Sequence, residues 1–232
     1  LSGGDDKKID LPCGPDGVFA DASPRLLEDW TSAVTVCLVG GGTGSGKSTA
    51  LDRMQYRMAK AGAVVLIADA ENYQPGRLAA LMAAALNRHT HIGAHPAVGT
   101  AALKDPEVTV AIDGVSELAP ATWDAMRSDV RAMLAGSPRA RLVLVGRDTT
   151  VLRSMPNRAT PTADLKMVPL NEARQLALVA NALGAQPDDV VGIVRESELA
   201  LGDVAKNPLM LLLGVRTILL GGDTTNPASV FR

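Results

Sequence analysis

The sequence predicts an α/β fold: a parallel sheet of five strands covered by helices on both faces, followed by a small helical domain. Three observations predict it. Short apolar runs near 34–39, 63–68, 108–112, 141–145 and 165–168 alternate with helical stretches near 47–61, 75–88, 120–135 and 149–154. Those runs are predominantly apolar, as strands buried on both faces should be. After Pro169 the strand signal ends, and helices near 171–183, 187–195 and 207–220 account for the rest.

Each element has a local reason. Residues 1–32 are rich in Gly, Asp, Pro and Ser and read as an N-terminal linker, with only 25–30 suggesting a short helix. Val34-Thr35-Val36-Cys37-Leu38-Val39 and Ala63-Val64-Val65-Leu66-Ile67-Ala68 are β-branched and apolar, which suits strands. Asn171 ahead of Glu172-Ala173-Arg174 offers a side-chain cap to the first helix of the last segment. The expected domains are therefore an α/β domain at 33–168 and a helical domain at 169–232. Right-handed crossovers place the loops after the strands on one edge of the sheet, where ligands bind.

Composition removes several classes of function. With 232 residues, 47% of them hydrophobic, the chain buries a sizeable core and is not disordered. A net charge of −2 and 3% aromatics supply neither a cationic field nor stacking platforms, so no direct nucleic-acid binding is expected. Two cysteines, Cys13 and Cys37, make no disulfide framework, and a cytoplasmic setting is the expectation. The apolar run at 209–220 is broken by Gly214, Arg216 and Thr217 and is too short to cross a bilayer, so no membrane partner is expected. A chain that begins at Leu1 reads as a piece of something longer.

The chemistry is concentrated at Gly41-Gly42-Thr43-Gly44-Ser45-Gly46-Lys47-Ser48, which fills the phosphate-loop pattern G-x-x-x-x-G-K-[ST] directly after a strand. Glycines let successive backbone N–H groups turn toward an anion with no Cβ in the way. Lys47 adds a point charge, Ser48 a hydroxyl for Mg²⁺, and the helix opening there its positive dipole end. Thr49 is placed to reach an α-phosphate. The pattern predicts a bound nucleoside triphosphate.

Hydrolysis needs more than a cradle. Val108-Thr109-Val110-Ala111-Ile112-Asp113 delivers a carboxylate at the end of a strand, read as a partner of the hydrated Mg²⁺, and Glu117 follows as a general base for water. One strand lies between the phosphate-loop strand and that of Asp113, and another follows it. That order suits the additional-strand class of P-loop NTPases, with sheet order 5-1-4-3-2. Arg147, past the fourth strand, then faces the γ-phosphate and reports its presence.

Asp113-Gly114-Val115-Ser116-Glu117-Leu118 resembles the Walker B motif of NACHT-type NTPases, a branch of the STAND signal-transduction ATPases. Arg147 is similar to their sensor 1 residue, and Asn207-Pro208-Leu209-Met210-Leu211-Leu212 looks like the start of a helix in their first helical domain. The resemblance covers roughly 34–221 and implies ATP or ADP with Mg²⁺, Pro208 against the adenine, and a nucleotide-controlled switch that self-assembles. Its effector and sensor parts would lie outside this segment, in signalling or defence. Ser116 departs from the family by replacing the first acid of its pair, so hydrolysis rests on Glu117 and is expected to be slow. The segment stops at Arg232, short of any winged-helix domain.

Two alternatives remain open on the residues. A small-molecule or nucleotide kinase would use Arg147, Arg153 and Arg158 as a lid, and a structural module would hold ATP or ADP without turnover. His89, His91 and His95 lack an accompanying Cys or carboxylate and are read as a solvated loop, not a zinc set.

Overall fold

The computed structural model describes residues 11–15, 24–90 and 93–222. The parts of the expected linker at 1–10 and 16–23, His91 of the histidine loop and the segment 223–232 lie outside the described residues. The chain forms two compact units. One comprises Leu11–Gly42 and Lys47–Met167; the other comprises Thr43–Gly46 and the described residues from Val168 onward.

The first unit holds a six-stranded sheet made of β1 (Cys13–Pro15), β2 (Val36–Gly40), β3 (Val64–Asp69), β4 (Val108–Asp113), β5 (Arg141–Gly146) and β6 (Thr162–Met167). Its order is β1-β6-β2-β5-β4-β3. This corrects the expected five-stranded order 5-1-4-3-2, because β1 adds an edge strand that runs antiparallel to β6. Every other pair is parallel, and without β1 the strands run β6-β2-β5-β4-β3. The extra strand is Cys-Gly-Pro, too short to show any apolar period. Backbone bonds define it instead: Cys13 and Arg25 exchange N–H···O contacts of 2.9 and 3.0 Å, and Trp30 Nε1 donates to the Cys13 carbonyl at 3.3 Å.

Helices α1 (Leu27–Ala33), α2 (Lys47–Lys60), α3 (Leu78–Thr90), α4 (Pro96–Lys104), α5 (Pro120–Gly136) and α6 (Thr149–Leu152) surround the sheet. One strand face, with Val36, Leu38, Leu66, Val110, Ile112, Leu142 and Leu144, packs on Met82, Met126, Val130 and Leu134. Burying each such side chain is worth about 1.5–3 kcal/mol. Strand alternation turns Cys37, Val39, Ala111, Val143 and Val145 to the other face, and these are buried too. Burial on both faces explains why β2, β3, β4 and β5 read as nearly continuous apolar runs; β6, with Thr162, Asp164 and Lys166, does not.

Helix α4 was not expected from the sequence. His95 accepts the Ala97 N–H through Nδ1 at 3.2 Å, Pro96 takes the first helical position, and Gly99 lies against the Ala79 backbone where no Cβ fits. The glycine that weakens the helical signal is what lets α4 approach α3.

The second unit carries α7 (Glu172–Leu183), α8 (Val191–Leu201) and α9 (Pro208–Leu219). Asn171 Oδ1 accepts the Arg174 N–H at 3.1 Å, the expected cap, and Gly184 ends α7 with φ 66°. Gln175, 1% exposed, donates Nε2 to the Ala205 carbonyl at 3.3 Å and ties α7 to the turn before α9. Among the described residues no helix is long and apolar enough to cross a membrane.

Candidate functional site

Parallel pairing brings the carboxyl ends of β2, β4 and β5 to one sheet edge, with Gly40 beside Gly146. The Gly41 N–H donates to the Arg147 carbonyl at 3.2 Å, joining the stem of the phosphate loop to the residue after β5. Gly40 and Gly146 are both required by space. A Cβ on Gly40 would stand 2.9 Å from Thr149 Cγ2, and one on Gly146 would stand 2.9 Å from Ser116 Oγ.

In the first unit Lys47 opens α2 and bends back, donating Nζ to the carbonyls of Gly41 at 2.7 Å and Gly42 at 2.9 Å. Burial pulls its pKa down from the ordinary 10.5; Asp113 and Glu117 oppose that shift and Arg147 adds to it. These groups therefore share one field. Ser48 Oγ donates to Asp113 Oδ2 at 2.6 Å, and Asp113 Oδ1 accepts the Gly114 N–H at 2.8 Å. Gly114 takes φ 74°, which turns the chain straight out of β4 into the short helical turn Val115–Glu117. Thr49 is exposed beside Ser48.

Arg147 donates Nε and Nη2 to Glu117 Oε1 at 3.3 and 3.2 Å, and both side chains are about two-thirds exposed, at 64% and 60%. Ser116, between Glu117 and the strand, accepts the Arg147 backbone N–H through Oγ at 2.8 Å. That link was missed in the sequence, where Ser116 counted only as a lost acid. A side chain short enough to pass over Gly146 is what the geometry requires there.

The rest of the loop, Thr43–Gly46, belongs to the second unit together with Pro208. Gly44 and Gly46 hold φ 74° and 90°, the left-handed values glycine tolerates. Ser45 Oγ is buried with no hydrogen-bond partner, an orphan that a bound oxygen ligand would satisfy. Pro208 is the first residue of α9 and half-buried. Its neighbour Asn207 caps the helix, and Asn ahead of Pro at a helix start was a readable cap signal.

Within the first unit a hydroxyl and a carboxylate in contact, with an ammonium nearby in sequence, suit a hard divalent cation and an anion. Within the second, left-handed glycines and an orphaned serine oxygen suit a phosphate. Arg153 pairs with Asp164 within the first unit, and Arg158 is exposed. Among the described residues no group of three or more His, Cys, Asp or Glu is arranged to hold a metal.

No protein-family model and no curated protein matches the chain. Solved structures do. The replication initiator DnaA bound to AMPPCP and single-stranded DNA aligns at a TM-score of 0.52 and 14% identity, over 86% of this chain and 61% of that one. RuvB of Thermotoga maritima aligns at 0.50 and 15% identity, over 89% and 64%. Identity this low speaks for the fold: the chain has a P-loop NTPase fold, and it spans less than two-thirds of either neighbour.

The DnaA neighbour overturns the expectation of no direct nucleic-acid binding, since a protein of this fold is described with single-stranded DNA bound. The physical reason is scale. Net charge and aromatic content average over the whole chain, whereas a strand is gripped by a few local groups.

Proposed function

We propose that this chain is a nucleotide-dependent switch that binds ATP or ADP with Mg²⁺ at the loop 41–49 and turns ATP over slowly. The observation that carries the reading is the 2.6 Å contact between Ser48 and Asp113, from different elements, directly behind the glycine loop. In this reading Gly41, Gly42, Thr43, Gly44, Ser45 and Gly46 cradle the phosphates, with Lys47 neutralising them and Thr49 at the α-phosphate. Ser48 and Asp113 hold the Mg²⁺, which when bound neutralises charge developing on the phosphates. Glu117 accepts a proton from the attacking water, Arg147 senses the terminal phosphate, and Pro208 lies against the base. The nucleotide-binding part is 33–168 and the helical part 169–232, and occupancy sets their arrangement and the tendency to self-assemble. The motif resemblance supports assignment to the NACHT branch of STAND NTPases.

Lys47→Ala is expected to abolish ATP binding in calorimetry, while Glu117→Gln binds ATP and loses turnover. Turnover by Glu117→Gln at the parental rate would remove Glu117 from its role. Because the DnaA neighbour carries single-stranded DNA, turnover is measured with and without that ligand.

A second reading has one observation in its favour. Arg147 already occupies Glu117 Oε1, so a chain that keeps this pair when nucleotide is bound would hold ATP without hydrolysing it. ATP recovered intact after incubation at catalytic temperature would decide for it.

A further inference from the structure

Asn207 faces two ways. Its Oδ1 accepts the N–H groups of Leu209 at 3.0 Å and Met210 at 3.3 Å, capping α9, and its Nδ2 donates to the Thr43 carbonyl at 3.0 Å. The Leu209 N–H also reaches the Gly44 carbonyl at 3.3 Å. The Leu209 side chain fills the space beside Gly44, its Cβ and Cδ2 2.5 and 2.8 Å from where a glycine Cβ would stand. Two consecutive carbonyls of the phosphate loop are thus held by the first turn of one helix.

A peptide group is a rigid trans plane, so a carbonyl fixed in one direction fixes the following N–H in the opposite one. The Thr43 carbonyl shares its plane with the Gly44 N–H, and the Gly44 carbonyl shares its plane with the Ser45 N–H. Those are two of the amides that would face a polyphosphate, and the buried, partnerless Oγ of Ser45 lies on the same short segment. Any anion that recruits these amides pulls on the planes that α9 holds.

We infer that Asn207 is the positioning residue through which α9 aims the phosphate-loop amides, and through which phosphate occupancy is passed back to α9. This rests on the nucleotide binding proposed above. Such a coupling is reciprocal: what nucleotide does to the start of α9, the start of α9 does to nucleotide affinity.

Asn207→Ser separates the two roles, because serine caps a helix as well as asparagine does yet is too short to reach Thr43. Hydrogen exchange across 207–213 is followed with and without Mg·ATP in the parent, Asn207→Ser and Lys47→Ala. In the parent, Mg·ATP is expected to slow exchange at Leu209 and Met210 by about fivefold or more. Asn207→Ser is expected to bind Mg·ATP about fivefold more weakly and, at saturation, to show no such slowing. Equal slowing in Asn207→Ser, or none in a parent that binds ATP, overturns the inference and leaves the nucleotide reading standing. A parent that binds no ATP overturns both.

Discussion

The guanidinium of Arg147 holds one oxygen of Glu117, Oε1, through both Nε and Nη2, at 3.3 and 3.2 Å. A pair this exposed adds only about 0–1 kcal/mol to folding. Its meaning lies in where it sits, between the proposed general base and the proposed sensor of the terminal phosphate.

Arg147→Ala tests which partner depends on the other. The melting temperature is expected to stay near the parental value, and turnover to fall about tenfold or more as a charge-assisted bond to phosphate is lost. Turnover that rises in this variant would mark the pair as a brake on Glu117.

Asp113→Asn keeps an acceptor for Ser48 but removes the charge opposite it. Chelating Mg²⁺ is expected to weaken ATP binding by the parent and to change binding by Asp113→Asn much less. Calorimetric titrations with and without chelator read the difference.

Two glycine substitutions of opposite sign check the packing. Gly146→Ala forces a methyl to 2.9 Å from Ser116 Oγ and 3.2 Å from Leu152 Cδ2, and is expected to destabilise the protein by about 1–3 kcal/mol. Gly192 lies in α8 with nothing within 4 Å, so Gly192→Ala is expected to stabilise by about 0.5–1 kcal/mol. Urea unfolding of both variants measures the two shifts.

Alkaline pH provides a further check. Burial, aided at Cys13 by Glu28 and at Cys37 by Cys13, lifts both thiols from 9.0 to about 12, and burial with the Asp129 hydrogen bond lifts Tyr73 from 10.0 to about 12. Raised pKa values mean the folded chain keeps protons that the unfolded chain releases, so their stabilisation is complete below pH 9 and drains away toward pH 12. Lys47 acts with the opposite sign, its lowered pKa relieving the folded state as pH climbs toward 10.5. The unfolding midpoint is expected to fall above pH 9, with a shallower slope in Cys37→Ala. At pH 8 neither thiol should react with a thiol reagent until the chain is denatured.

β2, β3, β4 and β5 were readable because burial on both faces leaves them almost wholly apolar, whereas β6, with Thr162, Asp164 and Lys166, showed only its end. The loop at 41–48 and Asp113 stood out because a glycine-rich G-x-x-x-x-G-K-[ST] run and a carboxylate ending an apolar strand are distinctive patterns, and the structure brings Ser48 and Asp113 into contact. What stayed hidden was held by backbone or by single contacts. β1 is a three-residue strand defined by its ladder, α4 depends on a glycine that lowers helical signal, and Ser116 matters through the N–H of a residue 31 positions away. Asn207 stood only as part of a helix start, and its bond to Thr43 spans 164 positions and leaves no local trace.

The antiparallel strand at the sheet's margin decides how the protein can be shortened. With Cys13–Pro15 laid along Leu165–Met167 and Arg25 bridged to Cys13 on the far side, the last three residues of β6 present no bare ladder to a neighbour. A fragment trimmed to begin at Val36 would uncover Leu165–Met167 as well, and such a fragment should aggregate through that bared edge more readily than the longer one.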